Sequence, residues 1–218
     1  MSLGTPYQPG LFDTADPTFD ASSGSLERVA LDDTAWIDIV AGWVSSSDLL
    51  FEQLRTSLPW ARRERWIYDQ RVLEPRLTAR WTLDSGEALH PPILERMRQA
   101  LGANYGVTFE AIGFNFYRDG RDSVAWHRDK IRREVVRPIV PLVALGDRRR
   151  LLFRPRGGGP SRAFAIGRGD LLGTVCSQVR WVSHPVTKVA RSGPRISIAF
   201  RYGVDPRAYG VGASAVAP

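Results

Sequence analysis

Apolar and polar positions change rhythm twice along this chain. Residues 1–25 are rich in Gly, Pro, Ser and Asp, carry no period, and predict a flexible N-terminal arm. From Asp33 to Leu58 the apolar positions Trp36, Ile37, Ile39, Val40, Trp43, Val44, Leu49, Leu50 and Leu54 predict an amphipathic helix or helix pair. Trp66 to Val72 places aromatic and β-branched residues around a polar turn and predicts a short hairpin. Pro91-Pro92 opens a predicted helix over Ile93–Leu101, stopped by Gly102. After it, short β-rich runs alternate with Gly, Asp and Pro clusters. They are Phe109–Arg118, Val124–His127, Val136–Leu145, Leu151–Arg154, Ala163–Ile166, Asp170–Cys176, Arg180–His184 and Arg195–Tyr202. About eight short strands predict a double sheet of the jelly-roll kind. Residues 204–218 are Ala- and Gly-rich and read as a flexible tail.

Composition narrows the classes. The 218 residues suit one domain, and 43% hydrophobic residues suffice for a real core. No apolar run is long enough to span a bilayer, and no basic start leads into an apolar stretch, so neither a membrane anchor nor a signal peptide is expected. A single cysteine, Cys176, excludes an internal disulfide framework and a cysteine-zinc cluster. It is expected to be a buried small hydrophobe, and the natural setting is cytoplasmic or otherwise intracellular.

Charge points to a partner. The net charge is +7, and all but Lys130 and Lys188 of the 30 basic residues are arginines. From Arg118 to Arg207 there are 20 basic and 7 acidic residues, a local net of +13; the remainder carries 10 and 16, a net of −6. This asymmetry favours a polyanion at the C-terminal half. A GC-rich genome enriches arginine as well, so charge alone leaves nucleic-acid binding at even weight.

Candidate chemistry lies among three histidines. His127 and Asp129 are two apart, which on a strand directs both side chains to one face. His184 ends another predicted strand. Two histidines and one carboxylate form a facial triad that leaves positions open on a ferrous ion; a lone His-x-Asp is otherwise an ordinary structural pair. Arg195 and Arg201 share a face of one strand, with Ile196, Ile198 and Phe200 on the other. Two inward arginines need anions, and a dicarboxylate held at both ends supplies them. Asn115 and Tyr117 share a face of their own strand, with polar tips suited to the same ligand. His90, isolated at the start of a helix, is expected to be structural.

The ordered set Asn115-x-Tyr117, His127-x-Asp129, Gly169-Asp170-Leu171, His184 and Arg195-x5-Arg201 resembles the AlkB family of Fe(II)- and 2-oxoglutarate-dependent nucleic-acid dealkylating dioxygenases. The match runs from about Trp66 to Tyr202. The resemblance implies an α+β, mainly β fold. This is a double-stranded β-helix over 109–203, preceded by helices and a nucleotide-recognition lid within 26–108 of the same domain. It implies iron ligation by His127, Asp129 and His184. It places Arg195 and Tyr117 at the distal carboxylate of 2-oxoglutarate, and Arg201 and Asn115 near its oxo-acid end, with O2 as co-substrate. It implies oxidative demethylation of bases such as 1-methyladenine and 3-methylcytosine, releasing formaldehyde, succinate and CO2.

Further expectations concern the nucleic acid, with DNA favoured over RNA and a monomeric enzyme. Ile67 and Tyr68 correspond to an apolar wedge that fills the gap left by an extruded base. Trp81 is a candidate stacking platform; for Ile67, Tyr68 and Trp81 alike, plain core or hairpin packing is the alternative. Arg76 is a candidate phosphate contact or the partner of a nearby carboxylate. Arg149, Arg150 and Arg154 lie in a basic stretch fit for backbone contact, with a solvated turn as the alternative. Ile131 stands where several family members carry an acidic residue, which opens the question of lesion preference. Ser197 replaces an amide that some members place between the two arginines. The same chemistry on RNA, protein or a small molecule stays open, as does a non-catalytic nucleic-acid-binding module.

Overall fold

The computed structural model describes residues 16–22, 24–67, 70–125, 132, 134–135, 137–175 and 181–203; for 65–67, 70 and 181–184 it describes the backbone alone. The strands are β1 (Thr18–Phe19), β2 (Glu27–Ala30), β3 (Trp36–Val40), β4 (Val44–Ser45), β5 (Ala61–Ile67), β6 (Gln70–Thr82), β7 (Ala111–Tyr117), β8 (Ile139–Gly146), β9 (Arg149–Pro155), β10 (Arg162–Ile166), β11 (Asp170–Val175), β12 (Trp181–Val186) and β13 (Arg195–Arg201). Two helices, α1 (Ser47–Ser57) and α2 (Ile93–Tyr105), interrupt them.

A large sheet runs in the order β2-β3-β11-β8-β13-β7-β6-β5, and a small one in the order β10-β9-β12. All described pairings are antiparallel. Two sheets facing one another satisfy the jelly-roll expectation. The central strands β8, β11 and β13 read as near-continuous apolar runs because both faces of the large sheet are covered. One face meets the helices: Leu50, Phe51 and Leu54 of α1, and Ile93, Leu94, Met97 and Leu101 of α2, pack with Ile112, Phe114, Ile196, Ile198 and Phe200. The helical spacing of those residues puts them on one stripe each. The opposite face meets the small sheet, where Leu151, Phe153 and Ile166 pack with Val140, Leu142, Ala144 and Ala199.

Four expectations are corrected. The helix pair over Asp33–Leu58 is a strand followed by one helix. Trp36–Val40 has only five residues, mostly aromatic or β-branched, and β11 offers it an edge from Trp36↔Val175 to Val40↔Leu171. Part of the predicted arm is held: Phe19 lies 4.8 Å from the Trp43 ring, and the Trp43 indole donates to the Asp20 carbonyl at 2.6 Å. Gly102 does not stop α2; the helix runs to Tyr105 and ends at Gly106, whose φ of 67° is the left-handed cap. Gly102 is needed inside the helix because a Cβ there would lie 2.8 Å from the Val107 carbonyl oxygen. The predicted hairpin is longer than expected, since β5 and β6 extend the large sheet as its edge. No helix of the described residues is long and apolar enough to cross a membrane.

Candidate active site

Register assembles the site. β13 pairs with β7 so that Arg195, Ser197, Ala199 and Arg201 stand opposite Tyr117, Asn115, Gly113 and Ala111. Directly opposed residues of an antiparallel pair share a face. Ala199 belongs to the core shared with the small sheet. The two arginines, Asn115 and Tyr117 therefore line the interior of the jelly roll, as the residue spacing predicts. β6 adds Thr78 opposite Asn115 and Arg80 opposite Gly113 on the same face.

Arg195 is the decisive side chain. It is fully buried, and its Nε, Nη1 and Nη2 have no hydrogen-bond acceptor among the described residues. Its guanidinium carbon lies 5.5 Å from the centre of the Tyr117 ring. Burial pushes its pKa down to about 10; Tyr117 opposes that shift and the neighbouring Arg149 adds to it. Sequestering a guanidinium with every nitrogen unmatched costs several kcal/mol. A carboxylate offsets that cost by charge-assisted, bidentate bonding. The donor set thus fits one end of a dicarboxylate such as 2-oxoglutarate.

The other end of the row is polar and half-buried. Asn115 accepts from Arg76 Nε at 2.9 Å and donates to the Ser197 hydroxyl at 3.4 Å. Arg201 lies across Gly113, where a Cβ would come within 2.3 Å of Nη1, and donates to the Ala199 carbonyl at 3.4 Å. A side chain at position 113 would displace that guanidinium.

The remaining site expectations divide. His127, Asp129, Tyr68, Ile131 and Cys176 lie outside the described residues, and the side chains of Ile67 and His184 do so too, although His184 falls within β12. His90 is exposed. Arg150 and Arg154 alternate with buried Leu151 and Phe153, so they stand on the exposed face of β9. Arg149 does not: it is 4% exposed and donates to the carbonyls of Asp119, Asp122 and Thr187. It is not a phosphate contact, because its face of β9 is the buried one. Trp81 packs toward the helices, its indole donating to the Glu87 carbonyl at 2.7 Å, so a base in the jelly-roll interior does not reach it. Arg76, with only 12% of its side chain exposed, pairs with Glu74 at 3.0 Å and with Asn115, which selects the carboxylate alternative over the phosphate.

A jelly roll with an interior guanidinium waiting for a carboxylate is the architecture of a 2-oxoglutarate-using oxygenase, and comparison with known proteins agrees. Residues 75–201 match the 2OG-Fe(II) oxygenase superfamily. The chain is 30% identical over 186 residues to human alpha-ketoglutarate-dependent dioxygenase alkB homolog 3, covering 75% of this chain and 64% of that protein. It is 34% identical over 131 residues to human DNA oxidative demethylase ALKBH2, covering 54% and 50%. It thus spans somewhat under two thirds of the curated relatives it matches. In fold it is similar to OsALKBH1 (TM-score 0.56, 12% identity, covering 80% of this chain and 99% of that one). A prolyl hydroxylase from Trichoplax adhaerens is similar to the same degree (TM-score 0.56, 12% identity, 81% and 87%). The chain belongs to the 2OG-Fe(II) oxygenase superfamily. The cofactors of that family are Fe(II) and 2-oxoglutarate, with O2 as co-substrate.

Proposed function

We propose that this protein oxidatively dealkylates damaged bases in DNA, such as 1-methyladenine and 3-methylcytosine. The observation that carries this reading is Arg195, buried beside Tyr117 on the interior face with its three nitrogens unmatched among the described residues. Such a guanidinium seats the distal carboxylate of 2-oxoglutarate. Arg201 and Asn115 orient its oxo-acid end. His127, Asp129 and His184 hold the iron. Bound together, iron, 2-oxoglutarate and O2 supply the oxidising power that hydroxylates an N-methyl carbon and leave succinate and CO2. The protein's own share is geometry and exclusion of water: the apolar walls from Leu151, Phe153 and Leu142 keep the interior dry. The hydroxymethylated base then releases formaldehyde: the N–C bond breaks, the ring nitrogen keeps its electron pair, and the hydroxyl proton passes to solvent.

A methylated Watson–Crick edge is hidden in a duplex, so the base must leave the stack. Ile67 and Tyr68, at the β5–β6 connection, are the wedge in this reading. Arg150 and Arg154 hold phosphates on the outer face of β9. DNA is favoured over RNA by the likeness to a protein named as a DNA oxidative demethylase. The protein acts inside the cell, where a chain with one cysteine needs no oxidising compartment.

The test pairs two products. Protein, Fe(II), 2-oxoglutarate and 3-methylcytosine oligonucleotides, single- and double-stranded, are incubated, and demethylated base and succinate are measured together. Matched yields, lost in His127→Ala, are the expected result. Succinate without demethylation would reassign the substrate; neither product, with iron loading verified, would favour a binding module.

A further inference from the structure

Arg149 opens β9 immediately after the turn from β8. A buried arginine normally meets a carboxylate; among the described residues this one is hydrogen-bonded to main-chain carbonyls instead. Nη1 donates to Asp119 at 3.3 Å, and Nη2 donates to Asp122 at 3.2 Å and to Thr187. Burial holds its pKa below the usual arginine value, so the arrangement is costly and packing alone does not account for it.

The three acceptors lie on two segments distant in sequence. Asp119 and Asp122 sit in the turn that leads toward His127, and Thr187 follows His184 by three residues. The same segments meet again around Arg149. Val124 N donates to the Val186 carbonyl at 3.0 Å, and Val189 N donates to the Gly120 carbonyl at 2.9 Å. A Cβ on Gly120 would lie 2.3 Å from the Val189 carbonyl oxygen, so the approach requires glycine. Asp122 is itself fixed: it is 4% exposed and accepts from Arg118 N, Nε and Nη2 at 2.9, 2.8 and 2.9 Å.

We propose that Arg149 is a positioning residue for the iron centre, stapling the segment that enters His127–Asp129 to the segment that leaves His184. The inference rests on the iron-ligand reading of those three residues. Ligands that come from separate segments bind a metal tightly only when the segments are held in place beforehand. Arginine suits the task because one rigid fork carries donors enough for three carbonyls. Lysine has one point of charge and no fork.

Binding of Mn(II) alone to the full chain, followed by the electron paramagnetic resonance signal of the free ion, separates the possibilities. Arg149→Met is expected to weaken Mn(II) binding by about tenfold or more, the usual effect of losing a residue behind the ligands. Ile166→Val, a packing change on the neighbouring strand β10 opposite Arg149, is expected to lower the melting temperature and leave Mn(II) affinity intact. A folded Arg149→Met that binds Mn(II) as tightly as wild type overturns the proposal. Should that variant fail to fold, Arg118→Gln decides. It frees Asp122 from the half-exposed side of the same collar, and unchanged Mn(II) affinity there overturns the proposal equally. A wild-type protein that binds no Mn(II) overturns the iron-centre reading itself, whereas equal binding by wild type and variant removes only the role of Arg149.

Discussion

Arg195 sets function against stability within a single side chain. Its charge is buried with no acceptor among the described residues, and the unliganded protein bears the cost. Arg195→Met is therefore expected to raise the stability of the unliganded protein by about 1–3 kcal/mol. It is also expected to abolish the upward shift in melting temperature that excess 2-oxoglutarate gives wild type. Thermal unfolding with and without 2-oxoglutarate checks both halves; a destabilised variant that still responds to 2-oxoglutarate would sink the assignment. The proton on Arg195 gives a second check. Its pKa falls from the ordinary arginine value in the unfolded chain to about 10 in the fold, chiefly through burial. Between those values the unfolded chain binds more protons, so this group's contribution to stability rises with pH across that window. Affinity runs the other way, because the carboxylate needs the charged guanidinium. Affinity for 2-oxoglutarate, read by tryptophan quenching in metal-free buffer, is expected to be flat below about pH 10 and to fall above it.

At the scale of elements, the N-terminal strands are fastened by one carboxylate. Asp38 on β3 is 1% exposed and accepts from Arg28 Nε at 2.7 Å and Nη2 at 3.0 Å, from the Trp36 indole at 3.3 Å and from the Tyr105 hydroxyl at 3.3 Å. It thus ties β2 and β3 to the last turn of α2. Burial and then Asp38 raise the Tyr105 pKa, so the phenol stays a donor throughout the ordinary pH range. Gly173 on β11 permits the tie, since a Cβ there would lie 2.0 Å from the Tyr105 hydroxyl. Asp38→Ala strands the half-buried Trp36 and Tyr105 donors, releases the exposed Arg28 to solvent, and is expected to cost about 2 kcal/mol in urea unfolding. The variant's turnover per folded molecule is expected to match wild type, because Asp38 faces the helices and not the interior; a loss of turnover would contradict that separation.

Across the whole molecule, the charge imbalance acquires a location. Arg150 and Arg154 point outward from the small sheet, while Arg149 and Arg195 of the same basic half are buried inside. The outward pair stands on the face that a phosphate backbone can approach. Each phosphate contact contributes a slope of about −0.9 to the dependence of log affinity on log salt. Replacing Arg150 and Arg154 by alanine together is therefore expected to flatten that slope by about 2 for a duplex oligonucleotide. Arg76→Ala, which breaks an internal pairing, is expected to leave the slope unchanged. An unaltered slope in the double variant would move the nucleic-acid face elsewhere.

Much of the site was legible in the sequence, for a definite reason. Strand alternation is a period-two property of the chain, so Arg195 with Arg201, and Asn115 with Tyr117, could be assigned to common faces without coordinates. Most of the strand series from Phe109 to Tyr202 was legible likewise, because Gly, Asp and Pro clusters punctuate it; of Val124–His127 the described Val124 forms an isolated bridge to Val186. What local pattern could not decide was which partner an element meets. Trp36–Val40 has helix-like apolar density yet is a strand, because the open edge of β11 pairs with its backbone. Arg149 and Arg150 are neighbours of identical chemistry; one is a buried clamp and the other a surface cation, because the pleat of β9 turns them to opposite faces. Trp81 and Arg76 have the composition of nucleic-acid contacts, but register turns one toward the helices and gives the other Glu74 and Asn115. Sequence thus determined the kind of fold and which strand residues share a face, both of which depend on spacing along the chain. Tertiary structure decided which cations face solvent, which are spent inside, and which carbonyls Arg149 joins, since these depend on contacts between segments far apart in sequence.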